Sequence, residues 1–152
     1  STAWSNKGIA HSRKKDLDKA IACYEKAIEI NPNYSGVWNN KGNIYSEKGD
    51  LDKAIACYEK AIEINPNYSI AWNNKGIALS KKRNLDKAME CYIKAIEINP
   101  NDFMAWNNRG TTYLEKGDLD KAIVCYKKTI EIDPNNQAAN LQIKKLEQLQ
   151  LV

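Results

Sequence analysis

Residues 35–68 read SGVWNNKGNIYSEKGDLDKAIACYEKAIEINPNY. From Gly36 to Lys48, the residues Trp38, Lys41, Gly42, Ile44 and Tyr45 recur at three- and four-residue steps, which is one face of a helix. Gly49-Asp50 interrupts that pattern, glycine being the preferred residue for a left-handed helix end. Leu51, Ala54, Ile55, Tyr58, Ala61, Ile62 and Ile64 then mark a second amphipathic helix, with Asp52 expected to cap its start. Asn65-Pro66-Asn67 ends this helix, because proline disfavours helix at the residue before it, and opens the next. The segment is therefore a helical hairpin. Gly42, Ala54 and Ala61 are expected to let the two helices approach closely, with Trp38, Tyr45 and Tyr58 filling the space around the contact. A mid-helix glycine costs about 1 kcal/mol relative to alanine, so its presence calls for a packing reason.

The same hairpin is written four times. Trp4, Trp38, Trp72 and Trp106 stand 34 residues apart, as do Gly8, Gly42, Gly76 and Gly110. Cys23, Cys57, Cys91 and Cys125 follow the same step, as do Pro32, Pro66, Pro100 and Pro134. Residues 1–34, 35–68, 69–102 and 103–136 are the four copies, and 137–152 remain. A fixed period of this size marks one supersecondary unit stacked on itself, with its core buried between neighbours. Residues 17–34 and 51–68 are identical, which points to recent duplication or deliberate assembly.

Trp38, Gly42, Tyr45, Ala54, Tyr58 and Pro66, with their counterparts in the other copies, resemble the tetratricopeptide repeat pattern across residues 1–136. The pentatricopeptide family, which reads RNA, has a 35-residue period and fits less well. The resemblance implies an all-α fold: a right-handed superhelical α-solenoid of antiparallel helix hairpins. Several positions depart from the pattern. Lys7, Lys41, Lys75 and Arg109 replace its leucine, where their alkyl stems can cover apolar surface while the charge reaches water. His11 and Leu79 stand where Tyr45 and Tyr113 do. Lys15 and Arg83 occupy the turn position of Gly49 and Gly117, which predicts strain there. Thr129 replaces alanine and is expected to crowd the last hairpin.

Residues 137–152 place Asn140, Lys144 and Glu147 at the Trp, Gly and Tyr positions, while Ala139, Ile143 and Leu146 keep an apolar stripe. A C-terminal capping helix packed on residues 119–132 is expected. The chain opens in register on Ser1 without a methionine and with no matching N-terminal cap. A piece of a longer array, or a surface for end-to-end self-association through the first repeat, is expected from this.

Composition narrows the function classes. Charged residues are 28% with a net charge of +4, and Lys alternates with Glu rather than forming basic blocks, so nucleic acid is not an expected partner. No apolar run approaches membrane-spanning length. Equivalent cysteines lie about 8–10 Å apart in stacked helix pairs, too far for a disulfide or a shared zinc ion. Small half-buried thiols in a reducing, cytoplasmic setting are expected, with no metal or cofactor. His11, the one histidine, has no nucleophile, phosphate loop or metal-spaced cluster beside it, so no enzyme is expected.

The family resemblance implies that the first helices line a concave groove for a partner protein or peptide. The candidate groove residues are Asn6, Asn39, Asn40, Asn43, Asn73, Asn74, Ile77, Asn107, Asn108 and Thr111, with Ser5 and Ile9 in the first copy. An asparagine amide both donates and accepts, so a ladder of them can pair with a peptide backbone whatever its side chains. The other reading of that ladder is solvated filler copied with the repeat. One subgroup of the family grips a C-terminal carboxylate with lysine, arginine and asparagine. Asn39, Asn43, Asn74, Met104 and Asn108 occupy those positions here, without the two basic residues, which disfavours chaperone-tail binding. Shifting back one repeat to Ser5, Ile9, Asn40, Ile70 and Asn74 fits less well. A non-catalytic protein-interaction module is the expected function. The alternative is a structural spacer or a self-assembling or engineered scaffold without a fixed ligand.

Overall fold

The computed structural model describes residues 1–150, which form nine helices: α1 (Thr2–Arg13), α2 (Leu17–Ile30), α3 (Ser35–Glu47), α4 (Leu51–Ile64), α5 (Ser69–Lys81), α6 (Leu85–Ile98), α7 (Phe103–Glu115), α8 (Leu119–Ile132) and α9 (Gln137–Gln150). Leu151 and Val152 of the expected terminal helix lie outside the described residues. Each odd helix from α1 to α7 packs most extensively on the helix that follows it, and each hairpin then packs on the next. First helices also touch across hairpins, α1 with α3, α3 with α5 and α5 with α7. The result is an α-solenoid of helix hairpins.

Glycine makes the hairpins close. A Cβ on Gly8, Gly42 or Gly76 would lie 2.5, 2.6 or 2.6 Å from the ring of Tyr24, Tyr58 or Tyr92, distances that real side chains do not adopt. Those tyrosines, and Tyr126 in the last hairpin, are almost wholly buried. At Gly110 the gap to Tyr126 widens to 3.0 Å. Thr129 stands in this hairpin where the other copies have alanine. Its hydroxyl is fully buried and is satisfied by donating to the Cys125 carbonyl at 3.1 Å.

The turns confirm one expectation and correct another. Gly49 and Gly117 take φ of 81°, and Lys15 and Arg83 are driven into the same left-handed region at 61° and 63°. The cap of the second helix is Asp50, not Asp52. Asp50 accepts from the Lys53 backbone N–H at 3.3 Å, and Asn84 and Asp118 do the same for Lys87 and Lys121. A cap must immediately precede the first helical residue, here Leu51, and the Gly49 turn delivers Asp50 to that place. Asp52, one residue inside the helix, pairs instead with Lys82 of the next hairpin. His11 sits at the first turn, with Nδ1 3.8 Å from the Asp16 carboxylate.

Hairpins are joined along two edges. On the loop edge, the indole N–H groups of Trp38, Trp72 and Trp106 donate to the carbonyls of Pro32, Pro66 and Pro100, each at 2.9 Å. These rings are half-buried, so the tryptophans secure loops as well as filling seams. Asn140, at the tryptophan register of α9, makes the same kind of bond to Pro134 at 3.3 Å. On the turn edge, exposed ion pairs link Asp18 to Lys48, Asp52 to Lys82, Asp86 to Lys116, Lys15 to Glu47 and Arg83 to Glu115. At the C-terminal end, Ala139, Ile143 and Leu146 of α9 bury against Ala122, Ile123 and Tyr126 of α8, as their stripe predicts. All four cysteines are buried and free. Burial raises the pKa of the thiols of Cys57, Cys91 and Cys125, that of Cys91 to about 11, so they stay neutral near pH 7.

Candidate functional site

Adjacent residues on a helix point about 100° apart, so the paired asparagines of each first helix cannot share one direction. Asn39 and Asn73 turn inward and are only 3% exposed. Each accepts from the second asparagine of the next hairpin: Asn74 Nδ2 donates to Asn39 Oδ1 at 3.0 Å, and Asn108 Nδ2 donates to Asn73 Oδ1 at 3.0 Å. The asparagine ladder is thus first a hydrogen-bonded seam between hairpins. Asn39 and Asn73 are buried parts of that seam and do not reach the solvent-facing surface.

The rest of the row remains accessible. Asn6, Asn43 and Thr111 are exposed, and Asn40, Asn74, Ile77, Asn107 and Asn108 are half-buried. Asn43 Oδ1 accepts from Tyr58 Oη at 2.9 Å and from Asn74 Nδ2 at 3.2 Å. Thr111 takes the equivalent place in the last hairpin, 3.1 Å from Tyr126 Oη and donating to the Asn107 carbonyl at 3.1 Å. Burial pushes the Tyr58 phenol up to about 12, against a weaker downward pull from Ser46, so it remains a neutral donor. Burial likewise raises the Tyr126 phenol, with Thr111 opposing. The amides are therefore held in fixed orientations with some donor and acceptor capacity left over.

Two depressions follow the row and share Asn43. One, of about 330 Å³, is lined by Ile9, Ser12, Arg13, Tyr24, Asn40, Asn43 and Ile44. The other, of about 270 Å³, is lined by Asn43, Ser46, Glu47, Tyr58, Asn74, Ile77 and Lys81. Arg13, Glu47, Lys81 and the serines one turn beyond the asparagines were not among the sequence-derived candidates. Nor were Ile70 and Met104 singled out as contacts, although they are 47% and 50% exposed one turn before Asn74 and Asn108. Both groups could have been found by extending the row one turn in each direction along each first helix. Among the described residues no helix is long and apolar enough to cross a membrane.

A family model described as tetratricopeptide repeat matches residues 1–34, 36–68, 69–102 and 103–136. No curated protein sequence matches. Among solved structures, a crystal structure of MamA superposes with a TM-score of 0.85 at 27% identity, covering 94% of this chain and 84% of that one. A second MamA crystal structure gives 0.85 and 27%, covering 97% and 80%. The first repeat domain of Spaghetti (RPAP3), bound to the HSP90 peptide SRMEEVD, gives 0.75 at 26% identity, covering 78% of this chain and 94% of that one.

Proposed function

Because this chain belongs to the tetratricopeptide repeat family, we propose that it is a non-catalytic protein-interaction module holding an extended partner segment along its asparagine-lined first-helix face. The carrying observation is the row in which Ile70, Asn74 and Ile77 on α5 continue into Met104, Asn108 and Thr111 on α7. Seam bonds orient its amides, so a peptide backbone meets donors and acceptors that lose little freedom on binding. Ile70 and Met104 offer apolar footholds for alternate side chains. The RPAP3 relative supports peptide capture as the kind of function. Its acidic peptide is not the expected class here, because Met104 stands exposed where a carboxylate grip needs a basic residue.

Asn74 and Asn108 also hold hairpins together, so replacing them would confound binding with stability. The cleaner test is the double variant I70E/M104E, which changes two exposed side chains in the row. Capture of peptides from a displayed random library should fall about tenfold or more with an unchanged melting temperature. Undiminished capture would remove this face from consideration.

A second reading, end-to-end self-association through the first repeat, draws on the Trp4 ring, which is 36% exposed where its counterparts are half-buried. Sedimentation across a concentration series tests it, and a strictly monomeric protein ends it.

A further inference from the structure

Trp106, Arg109 and Tyr113 lie on the side of α7 about half a turn away from Asn107, Asn108 and Thr111. In the second and third hairpins this side is electrically balanced. Lys41 meets Glu25 of the preceding hairpin at 2.9 Å, and Lys75 meets Glu59 at 2.9 Å in a hollow that Glu90 also lines. For the last hairpin both acidic registers are aliphatic: Ile93 of the preceding hairpin stands at the register of Glu25 and Glu59, and Val124 at that of Glu90.

Arg109 consequently keeps its charge without a carboxylate. Among the described residues no acidic group lies within 4.0 Å of its guanidinium, and its Nε is buried without a hydrogen-bond partner. Nη2 donates to Tyr113 Oη at a long 3.3 Å. The guanidinium lies 5.5 Å from the ring centres of both Trp106 and Tyr113, and Lys121 lies 5.5 Å from Tyr113. Lys121 has its own carboxylate, Asp118, at 2.6 Å. The space between them, about 240 Å³, is lined by Trp106, Arg109, Tyr113, Lys121, Val124 and Cys125. Val124 is 64% exposed. The neighbouring thiols show the same imbalance: glutamates act on Cys57 and Cys91, whereas Arg109 is the one charged group acting on Cys125.

We propose that this niche is a second binding site, in which Arg109 receives a carboxylate from an acidic partner segment while an adjacent aliphatic side chain rests on Val124 and Trp106. A buried charged donor left unpaired is costly, and a planar guanidinium between aromatic faces is preorganised for a carboxylate. The aliphatic wall excludes water from that pair and selects a segment in which acidic and apolar residues alternate. At Lys41 and Lys75 the protein supplies the carboxylate itself; here the partner does.

The test is NMR titration of the whole chain with a capped Leu-Glu-Leu tripeptide, following the Arg109 Nε–H and Trp106 indole signals. Saturable shifts of both are expected, with a Leu-Gln-Leu control at least about tenfold weaker. I93E restores the glutamate of the earlier hairpins, where that residue is compatible with folding, and should weaken binding by about tenfold or more by occupying Arg109 from within. R109M should abolish the response, and I70E/M104E should leave it unchanged, which separates this site from the asparagine face. Equal binding by wild type and I93E, equal binding of the glutamine control, or no saturable shift would each overturn the proposal.

Discussion

Inside each hairpin a glycine meets a tyrosine; between hairpins an asparagine meets an asparagine. The first contact occurs four times, at Gly8, Gly42, Gly76 and Gly110, with only the last relaxed. The second is spelled out twice, at Asn39–Asn74 and Asn73–Asn108, and its counterpart positions in the flanking units hold Ser5, Asn107 and Gln142. A glycine whose added Cβ would fall within about 3 Å of a buried ring resists a larger residue, whereas a polar seam accepts several donor–acceptor sets. Variation therefore accumulates between hairpins. The asparagine row lies where one hairpin meets the next, whereas the Arg109 niche is lined by α7 and α8 within the last hairpin.

High pH should break the hairpin interiors together. Burial raises the phenols of Tyr24, Tyr58, Tyr92 and Tyr126 above the ordinary 10.0, Tyr58 to about 12, and the Cys91 thiol from 9.0 to about 11. A group whose folded pKa is raised contributes stability that is complete below its unfolded pKa and lost as pH climbs through the folded one. The urea midpoint, followed by circular dichroism, should hold to about pH 9 and then fall steadily towards about pH 12. A midpoint unchanged across that window would mean the phenols are not buried as described. The seam amides do not titrate and contribute nothing to this slope.

Single-residue changes then separate the two contacts. G42A drives a methyl into Tyr58 and should cost about 1–3 kcal/mol in chemical denaturation, with G110A costing less because its gap is wider. If the two substitutions cost the same, the last hairpin is not the looser one. N74A removes the donor to Asn39 and leaves a buried carbonyl oxygen unpaired, a loss of about 1–2 kcal/mol measured the same way. The smallest effect is a gain. K15G relieves a left-handed lysine at the expense of an exposed ion pair, and should stabilise by up to about 1 kcal/mol. A loss on K15G would show that its pair with Glu47 outweighs the backbone strain.

The hairpins, their spacing and the apolar stripe of α9 were legible because each is fixed by periodicity that any single copy repeats. Asp52 was misread because two acids sit near the helix start and composition alone does not tell which one precedes Leu51. Asn39 and Asn73 were grouped with Asn40 and Asn74 because the letters are identical, whereas helical rotation sends neighbours in different directions. Their burial depends on a donor 35 residues away, which no local pattern reveals. The Arg109 niche had a visible trace, the exchange of Glu25 and Glu59 for Ile93, but its meaning depends on a contact across hairpins that only the fold displays.

The two edges of the array differ in how they respond to solvent. Uncharged indole-to-carbonyl bonds fasten one edge, and solvent-exposed ion pairs fasten the other. At an ionic strength near 1 M the screening length shrinks to about 3 Å, and such pairs lose most of their attraction. The solenoid is thus fastened by salt-insensitive bonds along one side and by salt-sensitive ones along the other. High salt should therefore loosen the turn edge while leaving the loop edge fastened.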